Sequence, residues 1–346
     1  DIFGKMRFHK IIEADGSDEP ANALIDGVAA EMMMKMNACG FENARHRDVV
    51  DVPHRIKILI AGRDDMPEAI RGGVETPEFW FCHGLPATLL LGIGMRFNKH
   101  PTGYKKQGSA AIMTQISVVC DIRSQLGEGP RWHAAEQRLY WVDIVAHALH
   151  RIDPVNGATE SRTFGAPIGC LAFVAGGGLM LAMQNGFAFL ADWQAEPVSF
   201  GAQIFGDRPD LRFNDGRTDA QGHFWVGSVN TAKAAQDAAL FRLDGDGTIT
   251  LIENTMMTCN GAAFSADGRR FCHTDTPTHM LRIYDVDASG RALTNRRIFH
   301  AFPQGQGRPD GGSFDQQGYY WTALFDGGRV VRLSPDGTIT QEVVLP

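Results

Sequence analysis

The chain has 346 residues, 44% of them apolar and 21% charged, with a formal net charge of −7 and six cysteines. That length accommodates one large domain with an appendage or two smaller domains. An acidic balance without a basic block argues against nucleic acid or an anionic membrane as partner. The longest apolar run, residues 87–95, is too short to span a bilayer.

Residues 1–114 do not share the pattern of the rest of the chain. They hold eight of the thirteen methionines, and Met32, Met33, Met34 and Met36 crowd one segment. Residues 21–40 read as a helix with Gly40 as its C-cap, 55–62 as one buried strand and 66–72 as a short helix, giving an α/β-like segment of unassigned role. Cys82-His83 is a potential metal pair, but without a second pair a core role is the simpler reading. Cys39, Cys82, Cys120, Cys170, Cys259 and Cys272 lie far apart and form no CxxC spacing. Together with the lack of a secretory leader, this indicates reduced thiols and a cytoplasmic protein. The start at Asp1 rather than Met reads as an incomplete native product.

From residue 115 onward a repeat takes over. Glu128 stands in Leu126-Gly127-Glu128-Gly129-Pro130, Asn214 in Arg212-Phe213-Asn214-Asp215-Gly216, Asn260 in Cys259-Asn260-Gly261, and Asp310 in Pro309-Asp310-Gly311. Ile168-Gly169 is a silent member, and the spacing is then roughly 40 to 50 residues, the period of a propeller blade. Short aromatic and β-branched runs recur after each of these positions, as in Leu139-Tyr140-Trp141-Val142, Phe224-Trp225-Val226 and Tyr320-Trp321-Thr322. Turn dipeptides separate them: Asn156-Gly157, Asp246-Gly247, Asp267-Gly268 and Asp336-Gly337. Antiparallel meanders follow from this pattern. A two-sheet sandwich shares the strand spacing but does not explain a period above forty, so the expectation is an all-β propeller.

In a propeller the innermost strands of successive blades become neighbours around one channel, so residues far apart in sequence face one another. Glu128, Asn260 and Asp310 supply two carboxylates and an amide oxygen, hard donors suited to Ca²⁺, Mg²⁺ or Mn²⁺. Three ligands at an open mouth leave positions for water and substrate, as in catalytic rather than structural sites. Any one such residue more often caps a strand end. Four in register with the repeat point to a shared site.

The ordered set Gly-Glu-Gly-Pro-x-Trp, Arg-Phe-Asn-Asp-Gly, Asn-Gly before Phe-Ser-x-Asp-Gly, and Pro-Asp-Gly resembles the senescence marker protein/gluconolactonase family, the regucalcin-like sugar lactonases. The resemblance covers residues 116–346. It implies a six-bladed propeller hydrolysing aldonolactones with one divalent ion, with calcium, zinc, magnesium and manganese as candidates. It maps the metal ligands onto Glu128, Asn260 and Asp310, the substrate contacts onto Arg212 and Asn214, and the general base onto Asp310. The bottom-up chemistry agrees. A cation polarises the lactone carbonyl, a carboxylate accepts a proton from water, and Arg212 and Asn214 orient the sugar.

Two features depart from the family. Residues 230–239 hold no Glu where relatives place a substrate-contacting one, leaving Gln236 or Asp237 as substitutes. The fifth repeat also ends at Pro346, so a sixth blade is expected to be missing, with residues 116–122 as the strand that would complete it and nothing in 1–114 to replace the remainder. Open edges then predict low stability and self-association. A calcium-dependent aryl esterase or phosphotriesterase and an inactive fusion fragment are the competing readings.

Overall fold

The computed structural model describes residues 33–35, 78–84, 89–95 and 114–345, with backbone alone for the stretches up to residue 117. Within them lie 24 strands arranged in six four-stranded sheets. Five sheets are consecutive antiparallel meanders. The first holds β5 (Gly127–His133), β6 (Arg138–Asp143), β7 (Ala148–Ile152) and β8 (Thr159–Thr163); the second β9 (Ile168–Phe173), β10 (Leu179–Met183), β11 (Phe187–Leu190) and β12 (Val198–Phe200). The third holds β13 (Leu211–Thr218), β14 (Phe224–Asn230), β15 (Ala238–Leu243) and β16 (Ile249–Met256). The fourth holds β17 (Cys259–Phe264), β18 (Arg270–Asp275), β19 (Met280–Val286) and β20 (Leu293–Ala301), and the fifth β21 (Arg308–Phe314), β22 (Tyr320–Phe325), β23 (Arg329–Leu333) and β24 (Ile339–Val344). The first strands β5, β9, β13, β17 and β21 lie side by side in that order. These are five blades of a propeller.

Each blade is built from the same local logic. The second strands carry the largest buried side chains, Tyr140, Trp141, Phe224, Trp225, Tyr320 and Trp321, each at most 2% exposed. These rings fill the wedges between blades, where apolar burial contributes about 25 cal/mol per Å². Their polar edges are satisfied at the turns: Asp219 accepts the Trp225 indole N–H at 2.8 Å, and Asp315 accepts that of Trp321 at 3.0 Å. Gly247, Gly268, Gly318 and Gly337 take positive φ in the hairpin turns, which L side chains rarely adopt.

The sixth sheet corrects the expectation that nothing in 1–114 stands in place of the missing strands. It comprises β1 (Met33–Lys35), β2 (Glu78–Gly84), β3 (Leu89–Met95) and β4 (Thr114–Val118), with β1 parallel to β2 and the other pairs antiparallel. Strand β1 lies beside β21 and β22, and β2 beside β5. Met33–Lys35, inside the predicted helix 21–40, is extended: pairing with β2 overrides the helical propensity of a Met-rich stretch, as tertiary context commonly does. The strand read at 116–122 as completing the last blade runs from Thr114 to Val118, at the edge of this sheet. Cys82 and His83 fall within β2. The predicted strand 55–62, the predicted helix 66–72 and Cys39 lie outside the described residues, and the part of 1–114 that is described is strand alone rather than α/β. A 3-10 turn at Thr276–Thr278 is the only helical segment among the described residues, and none of their helices is long and apolar enough to cross a membrane.

Candidate active site at the channel mouth

All five innermost strands are bulged at the same place. The register shifts between Glu128 and Arg131, between Phe213 and Gly216, between Asn260 and Ala263, and between Pro309 and Gly312. In the second blade it shifts where Ile168 and Cys170 meet β10. Glu128 and Asn260 are the last paired residues before their bulges, while Asn214 and Asp310 are the first residues inside theirs. A bulge leaves backbone unpaired and re-aims the side chain beside it. The polar-then-glycine pattern in the sequence is therefore the bulge itself, and Gly129 and Gly261 hold φ of 60° and 66° there. The silent blade has its own reason: a Cβ on Gly169 would stand 2.3 Å from the Phe213 carbonyl oxygen. Glycine there lets β9 approach β13 next to Asn214.

Glu128, Asn260 and Asp310 are each 1% exposed and Asn214 is 0% exposed. Asn214 Nδ2 donates to Asn260 Oδ1 at 2.7 Å and to the Cys259 carbonyl at 3.0 Å. Arg212 Nη1 donates to Asn214 Oδ1 at 2.9 Å and to the Phe213 carbonyl at 2.8 Å. Asn260 Nδ2 donates to Thr276 Oγ1 at 2.9 Å, and Thr276 in turn donates to the Pro309 carbonyl at 2.9 Å, one residue before Asp310. One chain of hydrogen bonds thus runs across the third, fourth and fifth blades. Glu128, on the first blade, reaches the same group through its charge: burial pushes the Arg212 guanidinium down from its ordinary range, and the Glu128 carboxylate opposes that shift. Of the predicted residues, Arg212, Asn214 and Asn260 are in direct contact. Asp310 adjoins this network through its neighbour, and Glu128 through its field.

The supporting residues escaped the sequence reading. Asp143 accepts the amide protons of Gln125 at 2.7 Å and Leu126 at 3.0 Å, bracing the approach to Glu128. Asp275 does the same for Met257 at 3.1 Å and Thr258 at 2.9 Å ahead of Asn260. Both aspartates close the second strand of their blade, so aligning Trp141-Val142-Asp143 with His273-Thr274-Asp275 would have found them. Arg131 donates from the first blade to the Gly216 carbonyl of the third. Arg217 donates from the third blade to Ser313 Oγ of the fifth at 2.6 Å, and Tyr320 Oη reaches the Gly261 carbonyl at 2.7 Å. Asp237, a suggested substitute for the absent Glu, accepts from Asn230 Nδ2 at 2.7 Å and Arg208 Nη2 at 2.5 Å, and so braces its loop.

Among the described residues no group of three or more His, Cys, Asp or Glu is placed to hold an ion. Asn260 would be the amide donor of the proposed ligand set, and its Oδ1 accepts from Asn214 Nδ2 here. Hard oxygen donors, buried and carried by three separate strands, fit a hard divalent cation.

Residues 126–346 match the sequence profile of the SMP-30/Gluconolactonase/LRE-like region, and the chain belongs to that family. It is 40% identical over 233 residues to the 6-deoxy-6-sulfogluconolactonase of Pseudomonas putida, covering 66% of this chain and 79% of that one. It is also 35% identical to a pentonolactonase of Haloferax volcanii, covering 64% of this chain and 75% of the relative. A solved luciferin-regenerating enzyme superposes with a TM-score of 0.60 at 26% identity, over 64% of this chain and 77% of that one.

Proposed function

We propose that the chain hydrolyses a sugar lactone to its aldonic acid at the mouth lined by Glu128, Arg212, Asn214, Asn260 and Asp310. Relatives named as lactonases place the chain among hydrolases of carboxylic esters. The observation that carries the site is the hydrogen-bonded run from Arg212 through Asn214 and Asn260 to Thr276, set beside two buried carboxylates. Glu128, Asn260 and Asp310 would hold a divalent cation, which when bound supplies Lewis acidity to the lactone carbonyl. Asp310 accepts the proton of the attacking water. Arg212 and Asn214, pre-oriented by their mutual bond, hold the ring oxygen and hydroxyls of the sugar. The five consecutive meander sheets and the sheet β1–β4 would then form one closed ring, a six-bladed propeller. The polar rim matches a hydroxylated substrate better than an aryl ester, which would call for an aromatic-lined mouth. By its name, the Pseudomonas relative acts on a sulfonated gluconolactone, which makes a lactone carrying that group a candidate beside neutral ones. A pH-stat assay over a panel of aldonolactones, with and without chelator, tests the reading. Chelator-sensitive acid release above the spontaneous rate is expected, and its absence for every lactone would refute it.

A further inference from the structure

Thr276 opens the 3-10 turn that follows β18 and is 6% exposed. Its backbone is held on both sides. The N–H donates to the Thr258 carbonyl at 3.0 Å, and the carbonyl accepts the His279 N–H at 3.2 Å. Thr278 Oγ1 closes the turn on the Asp275 carbonyl at 2.7 Å, and Pro277, next in the chain, has a ring-locked φ. The turn packs against β21. A β-branched side chain is stiff at χ1, so the Thr276 hydroxyl stands at a fixed place between the fourth and fifth blades. There it accepts from Asn260 Nδ2 and donates to the Pro309 carbonyl, both at 2.9 Å.

The bonds along this run have a forced direction. A guanidinium only donates, and a carbonyl only accepts. Arg212 Nη1 therefore fixes the Asn214 oxygen on its own side, and the Cys259 carbonyl fixes Asn214 Nδ2 on the other. That amide N–H group needs an acceptor on Asn260, which is Oδ1 at 2.7 Å. Asn260 Nδ2 is then left facing Thr276. At the far end the Pro309 carbonyl takes the single hydroxyl proton of Thr276, so the hydroxyl oxygen can only accept from Asn260. Turning the Asn260 amide over would set two N–H groups against each other and ask one hydroxyl proton to serve two acceptors. Both fixed ends, Arg212 and Pro309, thus demand the same setting of the amide between them. In that setting Asn260 Oδ1 lies away from the turn. An amide oxygen carries two lone pairs, so the bond from Asn214 is compatible with a cation on the same atom.

We propose that Thr276 is a positioning residue of the site: its hydroxyl sets the Asn260 amide with Oδ1 as the ligand atom and ties that setting to the backbone beside Asp310. This rests on the reading of Glu128, Asn260 and Asp310 as cation ligands. Thr276→Val keeps the shape and removes the hydroxyl, whereas Thr276→Ser keeps the hydroxyl. Losing a partner that orients a ligand costs about 10- to 100-fold in metal affinity. In calorimetry Thr276→Val should bind calcium or manganese more weakly by that factor, and Thr276→Ser should stay close to the wild type. A hydroxyl serving packing alone would lower the unfolding midpoint and leave the affinity unchanged. Equal affinity in the wild type and Thr276→Val, or a loss that Thr276→Ser shares in full, overturns the assignment. Should Thr276→Val not fold, Thr276→Ala against Thr276→Ser makes the same comparison. Should the wild type bind neither ion, the ligand reading falls. The amide setting is then decided in the metal-free protein by ¹H–¹⁵N spectra of the side-chain amides, with the Asn260 pair assigned by its absence in Asn260→Asp. One Asn260 amide proton should move upfield in Thr276→Val and hold its place in Thr276→Ser; a pair that does not move in Thr276→Val overturns the role of Thr276.

Discussion

At the scale of single residues, the site separates charge from orientation. Glu128 and Asp310 are the two carboxylates that the proposed site would offer to a cation, and each is buried. Glu128→Gln and Asp310→Asn should each weaken calcium or manganese binding in calorimetry, because each removes half the formal charge of the donor set. Asp310→Asn should in addition cut turnover at saturating metal by about 10²- to 10⁴-fold, the range for losing a positioned base. Wild-type turnover in that variant would dismiss Asp310 as base, and intact affinity in both would dismiss the ligand set. Arg212→Ala and Asn214→Ala should instead lower kcat/KM with metal affinity close to wild type, since neither is a proposed ligand. Unchanged efficiency toward every lactone would remove them from the site. The residue types at these positions were legible in sequence because oxygen-bearing side chains recur where a repeat normally buries apolar ones. Their supports were not legible: Asp143, Asp275 and Thr276 act through single long-range bonds to backbone or side chain, and no local spacing announces those.

At the scale of elements, the bulge is the device that turns a β-ladder into a site. Gly261 shows how tightly it is built. Its φ is 66°, and a Cβ there would meet Tyr320 Oη at 2.6 Å and the Asp310 carbonyl oxygen at 3.0 Å. Gly261→Ala must strain the backbone and displace the Tyr320 hydroxyl that bonds the Gly261 carbonyl. A loss of about 2–4 kcal/mol is expected by denaturant unfolding, with weaker metal binding because Asn260 and Asp310 both adjoin the clash. Wild-type stability would show the bulge to be more compliant than this. A second element, β18, carries a buried histidine. His273 is 0% exposed, both ring nitrogens are without a hydrogen-bond partner, and burial holds its pKa at about 4 against an ordinary 6.5. The unfolded chain therefore binds the extra proton between those values. Stability from this group is complete above pH 6.5 and is lost as pH falls toward 4, by up to about 3 kcal/mol. Denaturant midpoints at pH 7, 6 and 5 should fall more steeply in the wild type than in His273→Phe; parallel curves would discount the histidine. The blade strands themselves were readable from aromatic runs and Asp-Gly turns. The bulges appeared in sequence only as polar-glycine pairs, whose meaning depends on which strand stands opposite.

For the whole molecule the question is closure. Five blades between residues 127 and 344 leave β21 of the last and β5 of the first to find neighbours. The repeat pattern ends at the fifth blade, so sequence periodicity alone implies an open ring with exposed edges. In the structure the sheet β1–β4 stands there instead, β1 beside β21 and β22 and β2 beside β5. Its strands escaped notice because they do not carry the polar-glycine repeat, and because β1 is three residues long inside a stretch of helical composition. These contacts motivate a further prediction: residues before 114 support the folding of the five blades. A chain lacking residues 1–113 should lose cooperative unfolding or associate through its open edges, since the contacts removed rival the roughly 5–15 kcal/mol that keep a domain folded. Trp80→Pro in β2 gives a subtler second arm, removing one ladder donor from a strand paired on both sides. It should lower the thermal midpoint of the full chain while leaving the truncated chain untouched by definition. Sedimentation velocity and calorimetry read both. A truncated chain that stays monomeric, unfolds in one cooperative step and keeps its metal affinity would show that the five blades hold their ring alone.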